Sequence, residues 1–230
     1  MNAADLPEKA KEVLKKIRKK YKVGFEPLRI RDVELQILQV TDLEHLLAGK
    51  DPFADVSNFP FWVKLWEASL LLADTVAALP APAPGRTLLE LGAGLGAPGL
   101  VAAAKGYKVT LSDYETHILD FQRVSAAANS LTDVDFRMID WKKPPALPPF
   151  DTIIGAEILF RDEFFQPLLA LFQKYLAPQG EIYLAHDGRR KSLPKFLDLA
   201  QKEFQVAVSA RKMKSAEGEL TIIINRLRRK

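Results

Sequence analysis

The chain has 230 residues, no cysteine and three histidines (His45, His117, His186) in no HExxH pattern, which excludes disulfides, thiolate catalysis and cysteine-based zinc sites and points to no catalytic metal. Hydrophobic residues at 48 % and charged residues at 27 % are ordinary for a globular chain with a real core. No apolar run resembles a signal peptide or reaches bilayer length, so the expectation is a soluble, cytoplasmic monomer. The 33 Lys and Arg exceed the 29 Asp and Glu by four, and the excess lies at the ends, in KAKEVLKKIRKKYK (9–22) and RLRRK (226–230). Such clusters can hold phosphate. Val13, Leu14 and Ile17 nevertheless form one apolar stripe, so the lysines read as a solvated helix face and nucleic acid is not the expected partner.

In chain order, residues 3–20 predict a helix. FEPLRIRDVELQILQV (25–40) alternates twice about an Arg-Asp pair and predicts a β-hairpin. Thr41 and Asp42 suit the cap of a short helix, and 51–62 reads as an aromatic, proline-punctuated loop. A helix follows over 63–79. Beyond the stiff PAPAPG connector (80–85), strands alternate with helices: strand 87–92, a helix from Pro98, strand 107–113, helix 115–130, strands 134–140 and 151–157, helix 163–176, strand 180–187 and helix 192–203. That alternation predicts a buried, doubly wound parallel sheet. The last two strands, 204–213 and 219–227, are joined by only a few residues, too few for a crossover, so they pair antiparallel. A parallel sheet closed by an antiparallel C-terminal hairpin is the seven-stranded, Rossmann-like methyltransferase arrangement. Residues 1–62 form an N-terminal helix-and-hairpin extension, and residues 63–230 form the core.

The chemistry concentrates at the carboxyl ends of the strands, where open parallel sheets bind ligands. LLELGAGLGAPGL (88–100) places Gly92, Gly94, Gly96 and Gly99 in one turn, so that backbone and ligand approach closely. Pro98 suits the first turn of the next helix, whose free N–H groups point at the ligand. Read from Gly94, the loop satisfies the dinucleotide fingerprint G-x-G-x-x-G; read from Gly92, it does not. Glu90, two residues before the first glycine, favours the cationic S-adenosylmethionine over a pyrophosphate. Asp113 ends the next strand at ribose-binding distance, or else caps the helix that follows. Asp140, with Trp141 beside it, is placed to take an adenine amino group, or else is a loop aspartate. Glu157 ends the fourth strand in GAEILF (155–160), opposite the reacting methyl, with Phe160 nearby. A carboxylate there suits a cationic amine; the alternative is a helix cap. No Asn/Asp-Pro-Pro-Tyr/Phe motif of amino-targeting adenine methyltransferases occurs.

These segments, together with LWEASLLLADTV (65–76), LSDY (111–114) and IDW (139–141), resemble methyltransferase family 16, a group rich in protein-lysine methyltransferases, over about residues 25–227. The resemblance implies S-adenosylmethionine as cofactor. It would be held by Trp66, Glu90, Gly92, Gly94, Gly96, Asp113, Tyr114, Asp140, Trp141 and Ala156, and the substrate would be a protein lysine. The acidic-x-x-aromatic motif of the family matches Glu157 to Phe160, with glutamate for the commoner aspartate and phenylalanine for the commoner tyrosine. Glu157 and Phe160 are therefore the expected catalytic pair, with Phe61 or Trp62 lining a lysine channel. Trp66 has a second reading, as a core residue on a stripe with Leu65, Ser69, Leu70 and Ala73. A small-molecule or nucleic-acid N-methyltransferase and, less favoured, an NAD-dependent oxidoreductase are the competing functions.

Overall fold

A computed structural model describes residues 5–42, 60–215 and 218–230. The seven-stranded sheet comprises β3 (Thr87–Glu90), β4 (Lys108–Asp113), β5 (Val134–Met138), β6 (Phe150–Ala156), β7 (Leu176–Asp187), β8 (Phe204–Ser215) and β9 (Gly218–Arg229). Its order is β5-β4-β3-β6-β7-β9-β8. Every pairing from β5 across to β7 is parallel, while β9 runs antiparallel to both β7 and β8. The terminal hairpin is therefore as expected, but the last strand of the chain is the inner one. The pattern explains this: Ile222, Ile224 and Leu227 are buried, whereas most of β8 beyond Val206 is exposed. The more apolar strand takes the position that covers both edges.

Two apolar layers cover the sheet. On one face, α5 (Phe165–Tyr175) and α6 (Ser192–Ala200) bury Leu168, Phe172, Phe196 and Tyr175 against Leu89, Ile153 and Leu184. On the other, α2 (Glu67–Ala77), α3 (Ala97–Ala104) and α4 (Thr116–Ala128) pack over Leu88, Val109, Leu111 and Ile154. The N-terminal elements join this second layer: α1 (Glu8–Arg18) contributes Ala10, Leu14 and Ile17, and the hairpin β1 (Val23–Ile30) and β2 (Val33–Val40) contributes Leu35, Ile37 and Leu38. An aromatic cluster fastens the join, with Trp62 edge-on to Tyr21 (5.6 Å between centroids), His117 (5.1 Å) and Phe121 (4.9 Å). Trp62 is thus part of this seam, and it also lies against the glycine turn, its Cα and carbonyl oxygen 3.6 Å from where a Cβ on Gly94 would sit.

Several element boundaries differ from the sequence reading. The first helix spans 8–18, and the helix expected from residue 63 begins at Glu67 after a short 3-10 turn, Phe61–Val63. Trp66 consequently sits at the N-cap in extended conformation, off the helical stripe, with its indole N–H donated to the Phe61 carbonyl at 2.7 Å. Strand β7 starts at Leu176 rather than 180. The short helix expected after Asp42 and most of the 51–62 loop lie outside the described residues. Among the described residues, no helix is long and apolar enough to cross a membrane.

Candidate active site

Strand order reverses at β3, which has β4 and β5 on one side and β6 and β7 on the other, so the loops after β3 and β6 border the binding crevice of this architecture. Gly92, Gly94 and Gly96 all have positive φ (59°, 53° and 77°), a conformation that disfavours side chains, so the turn after β3 is closed by glycine for conformational reasons. Backbone bonds tie it to both neighbouring strands: Leu91 N–H donates to the Ile154 carbonyl and Ala93 N–H to that of Ser112, each at 2.9 Å. Gly96 occupies the N-cap of α3, and Pro98 sits in its first turn as expected.

The acids at the strand ends are used differently from one another. Glu90 is 1 % exposed, and its Oε2 accepts the Gly99 N–H at 2.8 Å. A Cβ on Gly99 would collide with Leu111 and lie 2.6 Å from that same oxygen, so glycine is required for the helix to reach the carboxylate. Burial pushes Glu90 up to about 8, against the lowering effect of the Gly99 bond and with the Asp113 charge adding to the rise. Glu90 therefore anchors the first turn of α3.

Asp113 does not cap α4, whose N-cap is Glu115. Its Oδ2 accepts the Gly94 N–H at 2.8 Å and its Oδ1 the Tyr114 N–H at 2.7 Å. Burial raises its pKa above the usual carboxylate value, and those two bonds oppose the rise. The glycine turn and the strand-end acid thus form one unit, and each carboxylate oxygen keeps a lone pair for a ligand hydroxyl. Gln122 of α4 supports the unit from beneath by donating Nε2–H to the Gly94 carbonyl at 2.8 Å; its Oε1 has no hydrogen-bond partner among the described residues. Tyr114 is exposed, as is Met138 at the end of β5. Asp140 is half-buried, with Oδ1 accepting the Lys142 N–H at 2.9 Å in a local turn. Trp141 leans over Gly92, where an added Cβ would meet its ring at 3.3 Å, and its centroid lies 5.3 Å from that of Phe164 and 6.4 Å from that of Phe160.

Across the crevice, Ala156 ends β6 in register with Ala185, and Glu157 follows in a left-handed conformation (φ 57°). A non-glycine residue is held there by its N–H bond to the Ala185 carbonyl at 2.9 Å. Its carboxylate is not a helix cap. Oε1 accepts the Asp187 N–H at 2.6 Å, and Oε2 pairs with Arg190 Nε. Arg190 lies 33 positions away in the sequence and is absent from any motif, which is why it escaped the sequence reading. Phe160, three residues after Glu157, is 47 % exposed and makes an aromatic wall with Phe164 and Trp141. Phe61 is exposed beside Trp66, 5.9 Å between centroids.

The sheet order, the glycine turn and the acids at the strand ends define a Rossmann-like methyltransferase fold. Residues 59–203 match the profile of a family described as lysine methyltransferase, and the chain belongs to that family. The mouse histone-arginine methyltransferase METTL23 is 35 % identical over 121 residues, covering 50 % of this chain and 48 % of the relative. The protein N-lysine methyltransferase METTL21A of Xenopus tropicalis is 30 % identical over 148 residues, covering 62 % and 68 %. The match thus spans about half the length of the first relative and two thirds of the second. Among solved structures, a putative RNA methyltransferase from Pyrococcus horikoshii superposes with a TM-score of 0.57 at 15 % identity, over 75 % of this chain and 91 % of that one, a likeness of fold.

Proposed function

We propose that this protein transfers a methyl group from S-adenosylmethionine to a nitrogen of a protein side chain, with a lysine ε-amine as the acceptor, and that it does so in the cytoplasm. The observation that carries the reading is the Asp113 carboxylate, part-buried and hydrogen-bonded to Gly94 N–H beneath a turn of three left-handed glycines, with Glu157 across the switch point. A nucleoside fits this unit: the turn presents backbone without side chains, and Asp113 retains acceptor capacity for ribose hydroxyls. Gly92, Gly94, Gly96, Asp113 and Tyr114 hold the nucleoside in this reading, Asp140 and Trp141 flank its base, and Trp66 and Ala156 border its methionine end. Glu90 acts one step back, by fixing α3.

S-adenosylmethionine, when bound, supplies an electrophilic methyl on a sulfonium. The chain's own task is to bring up a nucleophilic nitrogen and align it, and alignment is a large part of such acceleration. A lysine amine has a pKa near 10.4, so its neutral form costs about 4 kcal/mol at neutral pH. Phe160, Phe164 and Trp141 form an aromatic wall for the acceptor side chain, and the positive charge of the bound sulfonium opposes the charged form of the acceptor. Glu157 accepts an N–H of the acceptor and aims the remaining lone pair.

The test is incubation of the protein with tritiated S-adenosylmethionine and a cell lysate, followed by mass spectrometry of the labelled band. Asp113→Ala is expected to abolish S-adenosylhomocysteine binding measured by calorimetry. Glu157→Ala is expected to retain that binding and lose turnover. Normal methylation by Glu157→Ala would refute its assignment, and a label on nucleic acid would refute the protein acceptor.

A further inference from the structure

Glu157 is not an open acid. Its side chain is 16 % exposed and is held from two sides, by the Asp187 N–H and by the Arg190 guanidinium, itself 33 % exposed. The turn that delivers Arg190 is built for this. Asp187 ends β7, and its carboxylate takes the Arg189 N–H at 2.9 Å and the Arg189 guanidinium, so that arginine is directed away from Glu157. Arg190 N–H donates to the Asp187 carbonyl at 3.0 Å. Gly188 N–H donates to the Thr221 carbonyl at 2.8 Å, and a Cβ on Gly188 would lie 2.9 Å from that oxygen, so the turn is pinned tightly against β9. Two adjacent arginines therefore serve two different carboxylates, and the second serves Glu157.

This pairing bears on which form of the acceptor the crevice receives. A lone carboxylate beside an amine favours the ammonium, which has no lone pair to attack with. A guanidinium in a charge-assisted hydrogen bond offsets that field but leaves the carboxylate lone pairs that accept an N–H. We propose that Arg190 is a positioning residue of the acceptor site, which orients Glu157 and balances its charge so that the site takes the acceptor nitrogen in its neutral form. The inference rests on the reading of this crevice as a methyl-transfer site.

The surrounding charges do not duplicate the role. Arg189 is engaged with Asp187, Arg161 and Lys142 with Glu163, and Lys195 with Asp162. His186, on β7 next to the turn, is buried and held neutral. Asp113 and Glu90 lie across the switch point, bonded to backbone N–H groups.

The experiment uses two probes at neutral pH on the protein saturated with S-adenosylhomocysteine: trifluoroethylamine, which is neutral there, and butylamine, which is cationic. Fluorine NMR with competition reads the ratio of their affinities. Arg190→Gln is expected to shift that ratio toward butylammonium by about tenfold, the effect of roughly one pKa unit of charge interaction. Arg190→Lys is expected to stay within about twofold of the wild type, because it keeps the charge. Glu157→Gln, which leaves Arg190 without its counter-charge, is expected to shift the ratio the other way, and it carries the test if Arg190→Gln fails to fold. An unchanged ratio in Arg190→Gln or in Glu157→Gln overturns the proposal. So does an Arg190→Lys protein that shifts as far as Arg190→Gln, or failure of trifluoroethylamine to bind the wild type. Calorimetry with S-adenosylhomocysteine separates the layers: a wild type that does not bind it sinks the methyl-donor reading and this role with it, whereas retained binding with an unaltered amine ratio sinks only the role of Arg190.

Discussion

Glu90 ends a central strand with its carboxylate sealed between β3, Leu111 and the first turn of α3, where it accepts the Gly99 N–H. Because burial raises its pKa from 4.5 to about 8, the folded state binds a proton that the unfolded chain releases. Its stabilising contribution is complete below pH 4.5 and is lost as pH rises through 8. At one proton, the slope is about 1.4 kcal/mol per pH unit. Asp113, also raised by burial, adds to the same trend. Glu90→Gln keeps an oxygen for the Gly99 N–H and removes the titration. Denaturant unfolding at pH 6.5 and pH 8 is therefore expected to show a falling stability in the wild type and a flatter one in the variant. Parallel losses in both proteins would contradict this account of Glu90.

Among the elements, β2 is the clearest case of an edge made safe. An unpaired edge strand exposes N–H and C=O groups that must find partners. The outer edge of β2 finds them on α4: Asn129 Oδ1 accepts the Gln36 N–H and Nδ2 donates to the Gln36 carbonyl, each at 2.8 Å, while Ser125 Oγ accepts the Leu38 N–H at 2.9 Å. One asparagine imitates a strand neighbour, and this is how the N-terminal hairpin stays registered on the core. Asn129→Ala strips both partners from part-buried backbone groups and is expected to lower stability by about 1–3 kcal/mol. Cofactor affinity should be unaffected, because α4 meets the glycine turn through Gln122, nearly two turns earlier. Thermal melts with and without S-adenosylhomocysteine check both halves of that statement.

Over the whole molecule, the buried ionisable groups oppose one another across pH. His186 is 0 % exposed on β7, with neither ring nitrogen hydrogen-bonded among the described residues; burial, helped by the Arg190 charge, depresses its pKa from 6.5 to about 3. Its neutral form contributes stability that is present above pH 6.5 and is lost as pH falls toward 3. Between pH 4.5 and 6.5 this loss counters the gain from Glu90. His186→Leu should therefore gain stability relative to the wild type progressively as pH falls below 6.5, measured by urea unfolding; a constant difference across that range would rule out the titration.

Much of this architecture was written in the local pattern. Alternation of strand and helix after residue 85, the short final connection and the glycines of 92–99 are constrained by backbone sterics and by the two periodicities of buried side chains, which act within a few residues. The positions of Asp113, Asp140 and Glu157 follow from the same rhythm, since Asp113 ends β4, Glu157 directly follows β6 and Asp140 lies two residues past β5. What each carboxylate does is a different matter, because hydrogen bonding depends on groups brought close from elsewhere in the chain. Glu90 turns inward to Gly99, Trp62 joins Tyr21 and Phe121, β9 displaces β8 from the inner place, and Glu157 meets Arg190 from beyond the next strand. The sequence alone determined the fold class and the edge of the sheet where the candidate site lies, since those follow from short-range periodicity; only the tertiary structure decided which acid stays buried, which borders the crevice and which is charge-balanced, since burial and ion pairing are properties of neighbours in space.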